Sequence, residues 1–162
     1  MSDKAGDKDE GEILNISALI DVPYNYNAGY YVSRYLRELQ ENKKILGVKC
    51  PKCNKTYVPP RVSCKYCYVK NDEFVHVSDK GTVVAYTVMT VPYTNPNTGE
   101  PKKLPYTAAF IKLDGTDSNL MHLLEEGDES KLRAGMRVQA VFAERRSGDH
   151  FTDIVWFRTI EE

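Results

Sequence analysis

The fold of this chain is decided by residues 47–73, which read GVKCPKCNKTYVPPRVSCKYCYVKNDE. Its four cysteines have the spacing Cys-x2-Cys-x10-Cys-x2-Cys, at Cys50, Cys53, Cys64 and Cys67. Each Cys-x2-Cys makes a tight knuckle whose sulfurs point the same way, and two facing knuckles supply a tetrahedral shell about 2.3 Å from a zinc ion. With four protein ligands no position is left for water, so we predict a structural zinc site rather than a catalytic one.

Two other uses of these thiols stay open at this point. Iron in a rubredoxin-like site is the main competing metal, because a shell of four sulfurs suits both ions. A dithiol redox pair would normally place one Cys-x2-Cys on a thioredoxin-like βαβ frame, which the sequence lacks. In a reducing cytosol, paired cysteines hold metal more often than they form disulfides.

The charge of the chain is concentrated on this cysteine module. Residues 43–70 contain no Asp or Glu and eight basic residues: Lys43, Lys44, Lys49, Lys52, Lys55, Arg61, Lys65 and Lys70. Since the chain has a formal net charge of −1, the remainder carries −9. Part of the excess offsets the formal −2 of a zinc tetrathiolate. The rest indicates either an anionic partner, with phosphate the leading candidate, or a solvated basic face.

Length and composition are those of a soluble globular protein, with 162 residues, 41% hydrophobic and 28% charged. No run of 18 apolar residues is present, so we expect no membrane span. The first residues, MSDKAGDKDEGE, lack the apolar region of a secretory signal, and we expect a cytoplasmic protein.

The chain divides into four predicted parts. Residues 1–27 read as a flexible or partner-ordered segment, 28–46 as a helix, 47–73 as a rubredoxin-like zinc ribbon and 74–162 as an OB-fold domain. The helix is indicated by apolar residues at steps of three and four: Tyr31, Val32, Tyr35, Leu36 and Leu39. The tyrosines crowded before and within it suit packing on the chain's own core, or a protein interface.

Five strands are predicted after the ribbon, at 81–91, 106–113, 119–126, 136–144 and 150–160. They are rich in β-branched and aromatic residues, and Met136, Val138, Ala140 and Phe142 alternate with more polar residues. A short helical turn, DESKLRAG, separates the third strand from the fourth. The predicted fold class is therefore mainly β with an N-terminal helix, a zinc ribbon followed by a five-stranded OB-fold barrel.

Residues for independent catalysis are not evident. The zinc site uses every cysteine, and His76, His122 and His150 have no adjacent nucleophile motif, so we expect each to be a surface or packing residue. The sequence has no Gly-x-Ser-x-Gly elbow, P-loop or Gly-x-Gly-x-x-Gly motif.

The order of motifs over roughly residues 30–160 resembles the DUF35 family of acyl-CoA-associated proteins. The resemblance is carried by Cys50–Cys67 with the embedded Pro59-Pro60-Arg61, by GTVVAYTV, by YTAAFIKLDG and by GMRVQAVF. The second knuckle, CKYC, departs from the more usual Cys-Pro-x-Cys, which removes a stiffening proline but no ligand. The family implies a rubredoxin-like ribbon, an OB-fold and a function that depends on a partner.

Family members are non-catalytic subunits that accompany thiolases, thiolase-like synthases or acyl-CoA hydratases and help to contain coenzyme A. The resemblance therefore implies an accessory subunit in acyl-CoA degradation, of aromatic compounds or steroid side chains, with the thiolase partner supplying the nucleophile. We expect phosphate contacts from Arg61, Lys65 and Lys80, and a pocket flanked by Tyr93 and Tyr106. The alternative for each is an ordinary solvated or packed residue.

Two other functions stay open beside this one. A zinc ribbon with an OB-fold also suits a binder of single-stranded nucleic acid, although a pI of about 6.3 and the acidic remainder argue against it. A purely structural assembly factor would hold subunits together without touching coenzyme A.

Overall fold

The computed structural model describes residues 27–92, 94, 101, 103–146 and 153–161. The elements, in chain order, are helix α1 (Gly29–Asn42) and strands β1 (Ile45–Lys49), β2 (Thr56–Tyr57), β3 (Glu73–Val77), β4 (Lys80–Met89), β5 (Tyr106–Leu113), β6 (Asn119–Leu124), β7 (Arg137–Phe142) and β8 (Ile154–Thr159). A short 3-10 turn at Glu129–Lys131 separates β6 from β7, in the predicted helical turn. The predicted fold class is confirmed.

Helix α1 packs on the core through the buried side chains Tyr35, Leu36 and Leu39. It ends at Asn42, four residues before the predicted end, because Lys43 takes the left-handed conformation (φ 52°) and its N–H bonds to the Glu38 carbonyl. Ile45 and Leu46 are buried in β1 instead, paired with β3. Among the described helices, none has the length and apolar character needed to cross a membrane.

Two sheets make up the fold. The ribbon sheet is antiparallel with the order β2-β1-β3, and the barrel is closed in the order β4-β5-β6-β8-β7. All barrel pairs are antiparallel except β6 with β8, which meet in parallel at Leu124 and Phe157. Gly81 pairs with Leu113 on one side and Val138 on the other, at the closing strand of the barrel. A Cβ at Gly81 would lie 2.6 Å from the Lys112 carbonyl oxygen, so the closure requires glycine.

The helix, ribbon and barrel share one hydrophobic core. A single cluster of buried side chains joins Leu39 and Ile45 of the helix and ribbon to Ile111, Val138 and Phe157 of the barrel. A second, smaller cluster surrounds the cysteines and consists of Val48, Cys50, Tyr57 and Cys64. The cysteine module therefore has its own small interior beside the main core.

Candidate metal centre and the surfaces around it

Both knuckles are closed by the same pair of backbone hydrogen bonds. In the first, Asn54 N–H donates to the Cys50 carbonyl at 2.9 Å, and Cys50 N–H donates to the Lys55 carbonyl at 2.9 Å. In the second, Tyr68 N–H donates to the Cys64 carbonyl at 3.0 Å, and Cys64 N–H donates to Val69 at 3.0 Å. The two Cys-x2-Cys sequences thus fold into equivalent turns that face each other.

The four cysteine Sγ atoms lie within 4.8 Å of one another, and Cys53 Sγ is 3.7 Å from Cys64 Sγ. Ligands about 2.3 Å from a tetrahedral metal ion are separated by roughly 3.8 Å. Cys50 and Cys64 are fully buried. The four cysteines are therefore positioned for metal binding, and both the donor set and the spacing fit a zinc ion.

The surroundings of the sulfurs favour negative charge on one of them. The buried Tyr57 hydroxyl lies 3.2 Å from Cys64 Sγ. Burial opposes ionisation of Cys64, yet the Tyr57 hydroxyl and the backbone N–H groups of Tyr66 and Cys67 lower its pKa to about 6. Burial, and the neighbouring sulfurs of Cys53 and Cys64, raise the pKa of Cys67 to about 12. A thiolate at one cysteine therefore disfavours ionisation of the neighbouring thiols. A bound cation would offset this repulsion and hold all four cysteines as thiolates.

The residue that follows each knuckle is left-handed. Asn54 has φ 58° and Tyr68 has φ 56°. Asparagine tolerates this conformation, whereas other residues with a Cβ lose about 1–2 kcal/mol in it. The Tyr68 side chain is nevertheless 87% exposed. The sequence analysis missed this residue, although the equivalent position of Asn54 in the first knuckle was a signal that could have found it.

Four hydrogen bonds, which we call the clamp, join the ribbon to the barrel turn between β5 and β6. Thr56 N–H donates to Asp117 Oδ2 at 2.9 Å, and Asp117 N–H donates to the Thr56 carbonyl at 2.8 Å. Ser118 Oγ accepts from Val58 N–H at 2.7 Å and donates to the Val58 carbonyl at 2.9 Å. Lys55 adds an ion pair to Asp117 at 3.3 Å. This turn lies between the strands predicted at 106–113 and 119–126, and the sequence analysis did not predict the clamp.

Two of the residues predicted to contact phosphate, Arg61 and Lys65, lie on the second knuckle hairpin, and both are exposed. The Arg61 guanidinium stacks 4.8 Å from the Tyr57 ring centroid, and the Lys65 ammonium lies 4.8 Å from that of Tyr66. Both cations therefore lie beside the metal centre, where an anion could reach them.

The other predicted contacts are not brought together with these. Lys80 begins β4 and Tyr106 begins β5, where it pairs with Met89 at the far end of β4. The length of β4 separates the two by roughly 25–30 Å. Tyr93 lies outside the described residues. Lys80 and Tyr106 could therefore contact only different parts of one long ligand.

A cavity of about 570 Å³ opens beside the β4–β5 connection, at the Tyr106 end of the barrel. Its charged lining residues are Lys103, Glu126, Asp128 and Glu129. Among the described lining residues three carboxylates face one ammonium, and with Lys131 paired to Glu126 and Asp128 the charge is still negative, which is unfavourable for phosphate groups. Any phosphate contact is therefore better placed at the ribbon cations.

The barrel also exposes an apolar surface, which we call the apolar barrel face: Val84, Ala85, Ala108, Phe110 and Met121. Phe110 pairs in register with Ala85 on β4 and Met121 on β6, so the three form one cross-strand row. Val84 is 45% exposed, Phe110 48% and Met121 66%. Ala85, Ala108, Phe110 and Met121 also line a shallow cavity of about 160 Å³. Exposed apolar side chains thus face outward from β4, β5 and β6.

The described histidines lie in the kinds of position that the sequence analysis expected. His76 Nε2 lies 3.1 Å from Glu38 Oε2, so it joins β3 to helix α1 at the surface. The His122 ring packs edge-on against Phe157, with centroids 5.6 Å apart. His150 lies outside the described residues.

A four-cysteine ribbon clamped to a closed five-stranded barrel defines the class of zinc-ribbon and OB-fold proteins. Comparison with family models agrees with this class. Residues 42–73 match the ChsH2 rubredoxin-like zinc ribbon domain, and residues 74–143 match the ChsH2 C-terminal OB-fold domain.

The particular family follows from the relatives. The chain is 32% identical over 112 residues to a DUF35 domain-containing scaffold protein of Methanocaldococcus jannaschii, covering 68% of this chain and 76% of the relative. A scaffold protein of the same name from Pyrococcus furiosus is 30% identical over 118 residues, covering 73% and 82%. This chain belongs to the DUF35 family, as the resemblance implied.

Solved structures share the fold at lower identity. A DUF35-family protein of unknown function from Sulfolobus solfataricus superposes with a TM-score of 0.54 at 24% identity, covering 78% of this chain and 81% of the other. A chain of the Ltp2-ChsH2(DUF35) aldolase superposes with a TM-score of 0.61 at 20% identity, covering 83% and 98%. At these identities the likeness shows the fold alone.

Proposed function

We propose that this chain is a non-catalytic, zinc-binding subunit of a thiolase-type acyl-CoA complex in the cytoplasm. It would join the partner enzyme through its barrel and help to hold the coenzyme A moiety through its ribbon. The pathway would be acyl-CoA degradation, of aromatic compounds or steroid side chains.

The observation that carries this proposal is the apolar barrel face. Exposed apolar surface of this kind marks protein contacts, because burying it against a partner gains about 25 cal/mol per Å². In OB-folds the second and third strands, here β5 and β6, form the usual ligand-binding surface. Within the described part of this surface, Phe110 and Met121 are the exposed large side chains and Lys112 is the cation beside them. A binder of single-stranded nucleic acid needs a positively charged groove there, so a protein partner is favoured.

The comparisons support an enzyme as that partner. The two archaeal relatives are named scaffold proteins, and one structural neighbour is named as an aldolase that contains a DUF35 chain. All four cysteines of this chain belong to the metal centre, so a thiolase reaction would need a nucleophile from the partner. The acyl-binding pocket would then also belong to the partner.

The ribbon would supply the metal site and the cations. Cys50, Cys53, Cys64 and Cys67 would hold a structural Zn²⁺ ion, which stabilises a module with little apolar interior of its own. Arg61 and Lys65 would form charge-assisted hydrogen bonds with the phosphates of coenzyme A. We also propose that Lys80, Tyr93 and Tyr106 contact other parts of coenzyme A.

The test uses the thiolase-type enzyme encoded nearest to this chain's gene. Both proteins are purified separately and mixed, and their association is followed by sedimentation velocity and isothermal titration calorimetry. We expect a stable hetero-oligomer that is weakened by Phe110→Ser but not by Arg133→Ser, an exposed substitution in the connection before β7, outside the apolar barrel face. Equal binding by both variants would remove the barrel face from the interface, and no association at all would overturn the proposal.

Coenzyme A is tested in the same system. Calorimetric titration of the assembled complex should show binding that weakens when Arg61 and Lys65 are both changed to Ser. Binding that is identical with and without this chain would show that the partner alone holds the ligand, which is the prediction of the purely structural assembly factor.

A further inference from the structure

We propose that the tip of the second knuckle is a separate anchor, in which Tyr68 and Val62 insert into an apolar pocket rimmed by carboxylates on the partner enzyme. This inference rests on the proposed function and adds a second contact surface, on the ribbon instead of on the apolar barrel face.

The first argument is the conformation of Tyr68. Its φ of 56° is one that a tyrosine adopts at a cost, and its ring is 87% exposed. In the described part of the chain the phenol ring makes no hydrogen bond and no ring contact, so it contributes little to the fold. Asn54 occupies the same position of the first knuckle with φ 58°, which shows what the turn itself requires. A strained and exposed aromatic residue indicates a role outside the chain.

The second argument is that a companion apolar residue lies on the same hairpin. Val62 is 54% exposed, and its carbonyl accepts from Asn71 N–H at 2.8 Å. Ser63 and Lys70 form a β-bridge, which pairs the segment that follows Val62 with the segment that follows Tyr68. Tyr66, by contrast, already has the Lys65 ammonium over its ring, at 4.8 Å from the centroid. Tyr66 is itself 60% exposed, so Val62 and Tyr68 are the exposed apolar side chains of this hairpin that have no described cation contact.

The hairpin presents these groups rigidly. Asn71 is fully buried, and its Nδ2 donates to the Arg61 carbonyl at 3.1 Å. The Tyr31 hydroxyl of helix α1 donates to the Asn71 carbonyl at 2.5 Å, so the hairpin is tied to the helix as well as to the metal centre. A side chain that is held before binding loses less entropy when it is buried in a complex. Aromatic residues held in this way are typical interface hot spots.

Charge indicates the chemistry of the partner. Arg61, Lys65 and Lys70 are exposed on this hairpin, and within the described residues none of them forms a salt bridge. Arg61 and Lys65 are the proposed contacts of the coenzyme A phosphates, which leaves Lys70 to face the enzyme. The surface that receives the ring therefore carries carboxylates opposite Lys70. A protein surface fits better than single-stranded nucleic acid, because Val62 cannot stack on a base and the Tyr66 ring is engaged by lysine.

The test is Tyr68→Asn, which copies the residue of the first knuckle. Because asparagine adopts the left-handed conformation at a lower energetic cost than tyrosine, the variant should bind the same amount of zinc and melt at the same or a higher temperature. Its affinity for the partner enzyme, measured by calorimetry, should fall by about tenfold or more. The matched control is Tyr66→Asn, which removes a ring that is also exposed but already has the Lys55 and Lys65 ammonium groups beside it, and it should change the affinity by less than about threefold.

The outcomes separate this inference from the proposed function. If the unchanged chain binds the enzyme and Tyr68→Asn binds equally well, the anchor is wrong and the proposed function stands. If the unchanged chain does not bind the enzyme, both are overturned. A lower melting temperature or zinc content in Tyr68→Asn would assign the ring to the fold and overturn the anchor. Tyr68-dependent binding of a dT20 oligonucleotide, with no effect on the enzyme, would also overturn the choice of a protein partner.

Discussion

Thr56 and Asp117 exchange two hydrogen bonds across 61 residues of sequence, one through the Asp117 carboxylate at 2.9 Å and one between backbone groups at 2.8 Å. Thr56 lies in strand β2 of the ribbon, and Asp117 lies in the turn between β5 and β6 of the barrel. The orientation of the ribbon on the barrel is therefore set by directional bonds and not by apolar packing alone. A partner that contacts both modules would meet a geometry that is formed before binding.

The first prediction concerns this clamp. Asp117→Ala should lower the free energy of unfolding by about 1–3 kcal/mol, because it leaves the N–H of the buried Thr56 without its acceptor. Urea denaturation followed by circular dichroism measures the change. Asp117→Asn is the control, since it keeps an oxygen acceptor and removes only the ion pair with Lys55. If the two variants were equally destabilised, the ion pair and not the hydrogen bond would carry the effect.

The clamp should also depend on pH. The Thr56 N–H, and after it the Lys55 ammonium, hold the pKa of Asp117 below its ordinary value of 3.8. A carboxyl whose pKa is lower in the folded state contributes stability above its unfolded pKa and loses it as pH falls through the folded one. The stability difference between the unchanged chain and Asp117→Ala should be constant from pH 7 to 5 and shrink below pH 4. A difference that stayed constant down to pH 3 would contradict the assignment.

The cysteine site and the barrel strands could be predicted from the sequence, whereas the contacts between the ribbon and the barrel could not. The spacing of Cys50, Cys53, Cys64 and Cys67 is local, and local geometry is enough to predict that their thiols meet. The barrel strands are predictable because β-branched and alternating residues mark them. The clamp joins residues that are far apart in the chain. The turn DGTDS (114–118) has a sequence typical of any surface turn, so nothing in it indicates that the ribbon packs against it. The left-handed Tyr68 was missed because tyrosine itself does not indicate that conformation, and the available signal was its equivalence to Asn54 of the first knuckle.

The third prediction concerns the metal. Cys64→Ser should abolish tight metal binding and loosen the ribbon, because binding of a structural zinc ion releases on the order of 10 kcal/mol. Elemental analysis should find one zinc and no iron per unchanged chain, and amide hydrogen exchange should show lost protection from Val48 to Val69 in the variant. Barrel strand β5, which contributes no residue to the small cluster around the cysteines, serves as the internal reference. Iron in the unchanged chain would correct the identity of the ion, and unaltered exchange would contradict the structural role.

The fourth prediction separates the apolar barrel face from the core. Phe110 and Ile111 are neighbours on β5, but Phe110 is 48% exposed and Ile111 is fully buried. Phe110→Ser should therefore change the free energy of unfolding by less than about 1 kcal/mol, whereas Ile111→Ala should cost about 2–5 kcal/mol. Chemical denaturation measures both. A large loss in Phe110→Ser would show that this side chain serves the fold, and the barrel face would no longer indicate a partner.

The last prediction concerns barrel closure at Gly81. Because a Cβ there would lie 2.6 Å from the Lys112 carbonyl oxygen, Gly81→Ala must push β4 away from β5 or twist it. Overpacking of this kind costs about 1–3 kcal/mol, and here the obstacle is backbone, which cannot rotate away as a side chain can. Gly115→Asn is the matched control: Gly115 has φ 80° and nothing within 4 Å of a Cβ, and asparagine tolerates the left-handed region. Thermal denaturation should show a clear loss of stability for Gly81→Ala and a small one for Gly115→Asn.

The same substitution tests where the partner binds. Lys112 adjoins the row that contains Phe110, so a shift of β5 in Gly81→Ala should also weaken partner binding. If Gly81→Ala melted at a lower temperature but bound the partner equally well, the interface would lie away from this part of the barrel.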